Sequence, residues 1–285
     1  MKWEELREEE FDNAIEVSNK LCIVPIGCLE MHGEHLPVGT DTIQVTYVCN
    51  EAAKVEPVCV FPTITYGNVP FLTKSKGAIR LTVELMQAFL TELCSEIARN
   101  GFKKILIVNG HGGNPALLQN FVSSTQHTKK DYVVMCRNSY DYTIRELARD
   151  IRAGEVFPEL TQEDIDLVLD FDDKGKEDGH GGMEETCNVM AITPELVRLD
   201  RMYEVNGVST GRSRYLKDTG ILNGSARFWV VEHPDQYGGD HPEGANARIG
   251  SVLLRKDIEA QIETCRLLKM DDRILEWNEE WNQSW

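Results

Sequence analysis

The stretch Lys104-Ile105-Leu106-Ile107-Val108-Asn109-Gly110-His111-Gly112-Gly113-Asn114-Pro115 decides the fold. Lys104 to Val108 reads as a buried strand, because a short run of aliphatic, largely β-branched residues is closed by a turn signal. Pro115 fits the first turn of a helix, where its missing N–H costs nothing. That helix is predicted to run to about Gln126, and Tyr132 to Cys136 reads as the next buried strand. Strand, helix and strand at this spacing predict a parallel sheet covered by helices on both faces. In such sheets ligands bind outside the carboxyl ends of the strands. The Asn109–Asn114 loop leaves one such end. Its glycines let backbone approach a ligand and leave the His111 ring exposed. A phosphate-cradling turn is the alternative, but neither Gly-x-Gly-x-x-Gly nor a Lys-Ser/Thr pair is present.

Working back along the chain, Leu21 to Ile26 reads as another buried strand. It runs into Gly27-Cys28-Leu29-Glu30-Met31-His32-Gly33-Glu34-His35-Leu36-Pro37-Val38-Gly39-Thr40-Asp41, a loop predicted to last until a helix begins at about Ile43. Glu30 and His32 are two apart, so on extended chain they point the same way. Asp41 follows far enough on for the loop to double back. Carboxylate and imidazole donors without a thiolate suit Zn, Mn or Fe in an open, water-bearing site. A polar turn of solvated charges is the bland reading of the same segment. Farther on, Gly179-His180-Gly181-Gly182-Met183-Glu184-Glu185-Thr186 precedes an apolar helix predicted over Cys187 to Ile192. Alone it reads as a Gly-rich loop with an acidic helix start, which the helix dipole favours. Together the three segments supply Glu30, His32, Asp41, His111 and Glu185. That donor set suffices for two cations roughly 3.5–4 Å apart that share a bridging carboxylate.

The rest of the chain is less informative. Residues 1–19 suggest an acidic helix or pair of turns, and Val58 to Phe61 a short strand. Thr82 to Asn100 predicts an amphipathic helix with Leu85, Phe89, Leu93 and Ile97 inward. Residues 141–170 read as helices around Pro158, Asp170 to Asp178 as an acidic loop, residues 200–245 as irregular, and Arg248 to about Asn282 as one or two helices. No repeat or low-complexity linker breaks the 285 residues, which predicts a single domain over 1–285. A net charge of −17 argues against nucleic-acid or anionic-membrane partners. No apolar run approaches a membrane span and the start carries no apolar signal region, so a cytoplasmic location is expected. The eight cysteines form no Cys-x-x-Cys pair and read as reduced, mostly buried thiols. His127 reads as a surface residue, His233 and His241 as turn residues, and His35 as a group orienting the first loop.

These motifs carry a resemblance. Pro25-Ile26-Gly27-Cys28-Leu29-Glu30-Met31-His32-Gly33-Glu34-His35-Leu36-Pro37 with Asp41, then Asn109 to Asn114, then His180-Gly181-Gly182-Met183-Glu184-Glu185-Thr186, resemble in order and spacing three motifs of the creatininase (creatinine amidohydrolase) family. The match covers residues 20 to 195. Beyond residue 200 it is loose, apart from Gly239-Asp240-His241-Pro242 before the last helices. The resemblance implies an α/β fold of three α/β/α layers with a mostly parallel sheet, a two-metal amidohydrolase site holding Zn, Mn or Fe, a small amide substrate, and a homohexamer. By the same resemblance Glu30, Asp41 and His111 hold one metal, and His32 and Asp41 the second. Creatininase proper completes the second shell with a Glu where this chain has Gly113; Glu185 is the residue expected to fill that place. His180 matches the catalytic His, and Gly112, Tyr140 and Gly181 are expected to contact substrate. Tyr140 and Lys176 stand where creatininase proper lines its pocket with tryptophan, and Lys74-Ser75-Lys76-Gly77-Ala78 replaces a His-containing turn. The metal site therefore transfers better than the substrate. A formamide of a pyrimidine precursor and the tail of a small modified peptide, both acted on within the family, are the alternative substrates. A catalytically idle small-ligand binder is the alternative from another class.

Overall fold

A computed structural model describes residues 1–219 and 226–284. Four parallel strands form the sheet: β1 (Leu21–Ile26), β2 (Cys59–Val60), β3 (Lys104–Asn109) and β4 (Val133–Asn138), in the order β2-β1-β3-β4. Between them run α1 (Phe11–Val17), α2 (Thr40–Val55), α3 (Val83–Arg99) and α4 (Pro115–Ser124); α5 (Ile144–Arg152), α6 (Gln162–Asp173), α7 (Met183–Ile192), α8 (Ala226–Glu232), α9 (Ala247–Met270) and α10 (Arg273–Gln283) follow. Alternation along the strands divides the core in two. Cys22, Val24, Ile26, Ile105 and Ile107 pack on α1, α3 and α4. Leu21, Ile23, Leu106 and Val108 pack on α2, α9 and Ile274 of α10. The result is the expected three-layer α/β/α arrangement. Each fully buried Leu, Ile or Val contributes about 1.5–3 kcal/mol by leaving water.

The crossover from β1 through α2 leads to β2 on one side, and the crossover from β2 through α3 returns past β1 to β3 on the other. Strand order thus reverses at β1, and a crevice opens beyond the carboxyl ends of β1 and β3. The ends are flush: Ile26 pairs with Asn109 and Asn109 with Asn138. Consequently the loops after all three strands start side by side.

Four sequence expectations are corrected. Helix α2 begins at Thr40, so Asp41 sits in its first turn rather than on the preceding loop. Helix α7 begins at Met183 rather than Cys187, with Glu185 in its first turn as the expected acidic helix start. Asp170 to Asp173 complete α6 instead of opening a loop. On α3 the buried row is Met86, Leu90, Cys94 and Ile97, while Leu85 and Phe89 are exposed. Steps of four overshoot a 3.6-residue turn, so two neighbouring apolar rows compete and only packing chooses between them. The expected irregular region over 200–245 holds short 3₁₀ turns and α8, and partly falls outside the described residues.

Lys104 at the head of β3 is fully buried. Its Nζ donates to the Leu268 carbonyl at 2.8 Å and to Asp272 Oδ1 at 2.7 Å. A cation there meets the last carbonyls of α9, where the helix dipole favours it, and ties that helix to the sheet. All eight cysteines are free thiols, seven of them buried. Among the described residues no helix is long and apolar enough to cross a membrane.

Candidate metal centre

Each candidate donor hangs from the end of a regular element. The loop after β1 carries Glu30 and His32, both wholly buried. Its return is pinned by the Glu30 N–H donating to the Val38 carbonyl at 2.9 Å. Asp41, 1% exposed, enters from the first turn of α2, where helix N–H groups favour a carboxylate. His111 is set by Asn109: Asn109 Oδ1 accepts from His111 N and from Asn114 Nδ2, each at 3.0 Å, and Asn109 Nδ2 donates to the His111 carbonyl at 2.9 Å. Glu185 enters from the first turn of α7, its Oε2 accepting the Gly181 N–H at 2.6 Å. Gly181 has φ +74°, and a Cβ there would lie 2.9 Å from the His32 carbonyl oxygen, so the turn requires glycine.

These groups meet in two sets that share Asp41. His111 Nδ1 lies 2.8 Å from Glu30 Oε1 and 2.9 Å from Asp41 Oδ2. His32 Nε2 lies 3.0 Å from Asp41 Oδ1 and 3.6 Å from Glu185 Oε2. Donors on one ion with bonds of about 2.0–2.2 Å stand about 3 Å apart, which is the spacing seen here. Both imidazoles are oriented from behind: His32 Nδ1 faces the Glu30 carbonyl at 3.1 Å, and His111 Nε2 faces the Asn68 carbonyl at 3.3 Å. A thiol that the sequence reading did not include stands beside these donors. Cys28 Sγ belongs to the Glu30–Asp41–His111 group, all donor atoms lying within 4.8 Å. Burial, then Glu30 and Asp41, push this thiol well up, so it is held neutral.

The donor set fits divalent cations. Glu30 Oε1 and Oε2 and Asp41 Oδ2 are buried with no well-formed hydrogen bond, only His111 Nδ1 standing close to Oε1 and Oδ2, a costly state for two carboxylates unless more positive charge stands against them. Burial by itself would lower the His32 pKa, but Asp41, Glu185 and Glu30 outweigh it and push it up to about 10. His111 moves the same way, burial being overcome by Glu30 and Asp41. Burial raises Asp41 too, yet His32 and His111 hold it well below the usual range. Glu185 is raised, by burial foremost. The pocket demands positive charge at its centre.

A cavity of about 620 Å³ opens onto this cluster. Gly112, Tyr140 and His180 line it; Gly181 does not, its carbonyl instead accepting from Tyr237 Oη at 3.1 Å. Lys176 is not part of the lining either, its Nζ lying over the Phe171 ring. His180 Nε2 hydrogen-bonds the Met31 carbonyl, which leaves Nδ1 facing Glu30 Oε1 at 3.5 Å. His35 is buried, its pKa lowered to about 4 by burial, and its Nε2 joins the Gly181 carbonyl and Thr186 Oγ1, each at 3.1 Å. It therefore ties the first loop to α7. His127 is exposed, His233 is buried on the Gly207 carbonyl, and His241 meets Tyr203 edge-on and is not part of the cavity lining. Gly113 faces the cavity, and a Cβ there would come within 2.5 Å of the Asn68 carbonyl oxygen, so no side chain fits without a shift.

Sequence reading missed much of the wall. Phe71 and Trp229, with centroids 4.5 Å apart, close one side. Gln44, Asn188, Leu254 and Asp257 close another. Only Gln44 and Asn188 carried a signal: each stands three residues after an expected metal donor on the same helix, hence on the same face.

The family model described as creatinine amidohydrolase matches residues 4–265. Creatinine amidohydrolase of Pseudomonas putida is 26% identical over 211 residues, covering 70% of this chain and 75% of that protein. A 2-amino-5-formylamino-6-ribosylaminopyrimidin-4(3H)-one 5'-monophosphate deformylase of Methanocaldococcus infernus is 36% identical over 90 residues, covering 30% of this chain and 38% of that protein. Among solved structures, a manganese form of creatininase superposes with a TM-score of 0.70 at 19% identity, covering 93% of this chain and 97% of that one, which is a likeness of fold.

Proposed function

Given that the chain belongs to the creatininase family and is an amidohydrolase acting on C–N bonds other than ordinary peptide bonds, we propose that it hydrolyses a small amide or cyclic amide with two divalent cations, Zn or Mn, at Glu30, His32, Asp41, His111 and Glu185. One observation carries this reading: two donor sets share Asp41, one oxygen each, while three buried carboxylate oxygens of Glu30 and Asp41 have no well-formed hydrogen bond. Cations bound there would supply Lewis acidity toward a carbonyl and lower the pKa of water to about 7.

The chain's own residues do the rest. Glu30, Asp41 and Glu185 fix where positive charge collects. His32 and His111 keep the nitrogen nearest the carboxylates fixed, because the other ring nitrogen of each is held by a carbonyl. His180 donates Nε2–H to Met31 and presents Nδ1 toward the cavity. Nδ1 is where a proton is taken up and then passed to the leaving nitrogen, a general acid–base role that an imidazole so placed can fill. Phe71 and Trp229 supply an apolar face that keeps bulk water from the substrate.

The alternative substrates differ in charge. Among the described residues no lysine or arginine lines the cavity, while Glu30, Asp178, Glu184, Glu185 and Asp257 do. A phosphorylated substrate, such as the one in the name of the deformylase relative, would meet repulsion there. All five donors are present, which weighs against a catalytically idle binder. One domain over 1–285, a cytoplasmic location and a homohexamer complete the proposal; light scattering after size exclusion tests the last.

The decisive experiment is elemental analysis of the purified protein, followed by an amide-hydrolysis screen that includes creatinine. About two Zn or Mn per chain and release of amine from a small amide are expected. A metal-free protein with no affinity for either ion refutes the reading.

A further inference from the structure

The cavity extends past the metal cluster onto a second wall. Gln44 and Val48 of α2, Asn188 of α7, and Leu254 and Asp257 of α9 form it. Gln44 stands three residues after Asp41, and Asn188 three after Glu185. Each therefore lies on the same helix face as a proposed ligand and about 5 Å farther along the axis.

This wall is polar and short of donors. Asn188 is 2% exposed. Its Nδ2 donates to Gln44 Oε1 at 2.9 Å, which fixes the amide, and its Oδ1 is buried without a partner. Asp257 is also 2% exposed. Oδ1 of Asp257 accepts the Tyr142 N–H at 3.2 Å, and no ion pair reaches this carboxylate among the described residues. Burial, reinforced by Asp141, pushes its pKa up to about 8. Arg137 acts on it only at a distance, its Nε held by the Asn138 carbonyl and its Nη1 by Thr264, both at 2.8 Å. A buried acceptor and a buried acid whose ionised form has no cation against it favour a charged donor, and an ammonium placed there would stabilise the ionised form of Asp257.

We propose that Asn188 and Asp257 form a recognition subsite for a protonated amine, so that the substrate is a small amide carrying an ammonium group about 5 Å from the amide carbonyl whose C–N bond is cleaved. The inference rests on the proposed reaction centre, from which that distance is counted. It also explains why, among the described residues, the lining holds acids and no lysine or arginine: the wall selects positive charge.

The test uses the metal-loaded protein and three probes of matched length: 4-aminobutanamide, its uncharged analogue pentanamide, and the anion succinamate. Kd is measured by calorimetry, or KM where a probe is turned over. The amine should bind about tenfold or more better than pentanamide, and succinamate worst. In Asp257→Asn, which keeps an acceptor for Tyr142, the preference for the amine should collapse to within about twofold. Asn188→Leu should weaken the amine by more than it weakens pentanamide, narrowing the preference, and an undiminished preference counts against the subsite. Equal binding of amine and pentanamide by the unmutated protein, no binding of the amine, or a preference that survives Asp257→Asn overturns the inference. Metal content of the same samples separates the two failures. Two ions per chain without amine preference removes the subsite alone, whereas no bound metal removes the reaction centre and the subsite with it.

Discussion

Gly27→Ala tests how tightly the sheet edge positions the metal centre. Gly27 follows β1, and its N–H donates to the Ile64 carbonyl at 2.9 Å. A Cβ built there lies 2.6 Å from both Cα and N of Thr42, the residue after Asp41. Ordinary contact begins at 3.4 Å, so the first turn of α2 must retreat by about 0.8 Å. The obstacle is backbone, which cannot swing aside as a side chain would. Overpacking of this kind costs about 1–3 kcal/mol, and the stiffer unfolded chain returns about 0.4–1 kcal/mol, leaving a net loss of about 1–2 kcal/mol. The effect on the site is larger. Metal bonds tolerate about 0.2 Å, and Asp41 would be displaced by several times that. We expect a lower urea midpoint in tryptophan fluorescence and clearly less bound metal by elemental analysis. Gly112→Ala is the control, because a Cβ there meets nothing within 4 Å; its stability and metal content should match the parent. A Gly27→Ala protein with parental midpoint and full metal occupancy would refute the reasoning.

Asp41→Asn should leave the fold but reduce both metals together, because the shared carboxylate serves both sets; loss of one ion alone, by elemental analysis, contradicts the bridging role. His180→Ala should retain metal and slow turnover of a proven substrate by about 10²–10⁴-fold; unchanged kcat removes its assigned role. Asp257 is raised to about 8 from 3.8. The folded state therefore binds the extra proton between those values, and stability relative to Asp257→Asn should fall as pH rises from about 4 to about 8 and stay level outside that window. Urea titrations of the metal-free proteins at several pH values check this, and a flat difference contradicts it. Lys104→Met strips the Leu268 carbonyl of a donor but leaves Asp272 exposed to water, so the cost should be about 1–3 kcal/mol, below that of breaking a fully buried pair. An unchanged urea midpoint would show that the buried cation contributes nothing.

The parallel sheet was legible because β1 and β3 are buried on both faces and read as uninterrupted aliphatic runs. The five donors were legible because each follows a strand end or opens a helix, where polar residues break an apolar pattern. Helix starts were less so: Thr40 and Met183 begin helices without a side-chain cap, so Asp41 looked like a loop residue and the start of α7 was not placed at Met183. On α3 the choice between the Leu85–Phe89 row and the Met86–Leu90 row was made by the sheet, not by the helix. The cavity wall was least legible. Leu254 and Asp257 sit on a long amphipathic helix whose inward face reads as core throughout. Periodicity reports that a side chain points inward and is silent on whether it meets another side chain or an open space.

The elements that carry the five donors and those that close the cavity are largely different pieces of chain. Glu30, His32 and His111 ride on loops at the sheet edge, whereas Phe71, Trp229, Leu254 and Asp257 come from segments that contribute no donor. Apart from Gln44, Val48 and Asn188, which share α2 and α7 with Asp41 and Glu185, the machinery that breaks the bond and the surface that chooses the molecule are therefore separable. An engineer could rewrite the second by altering α8 and α9 while leaving the first untouched.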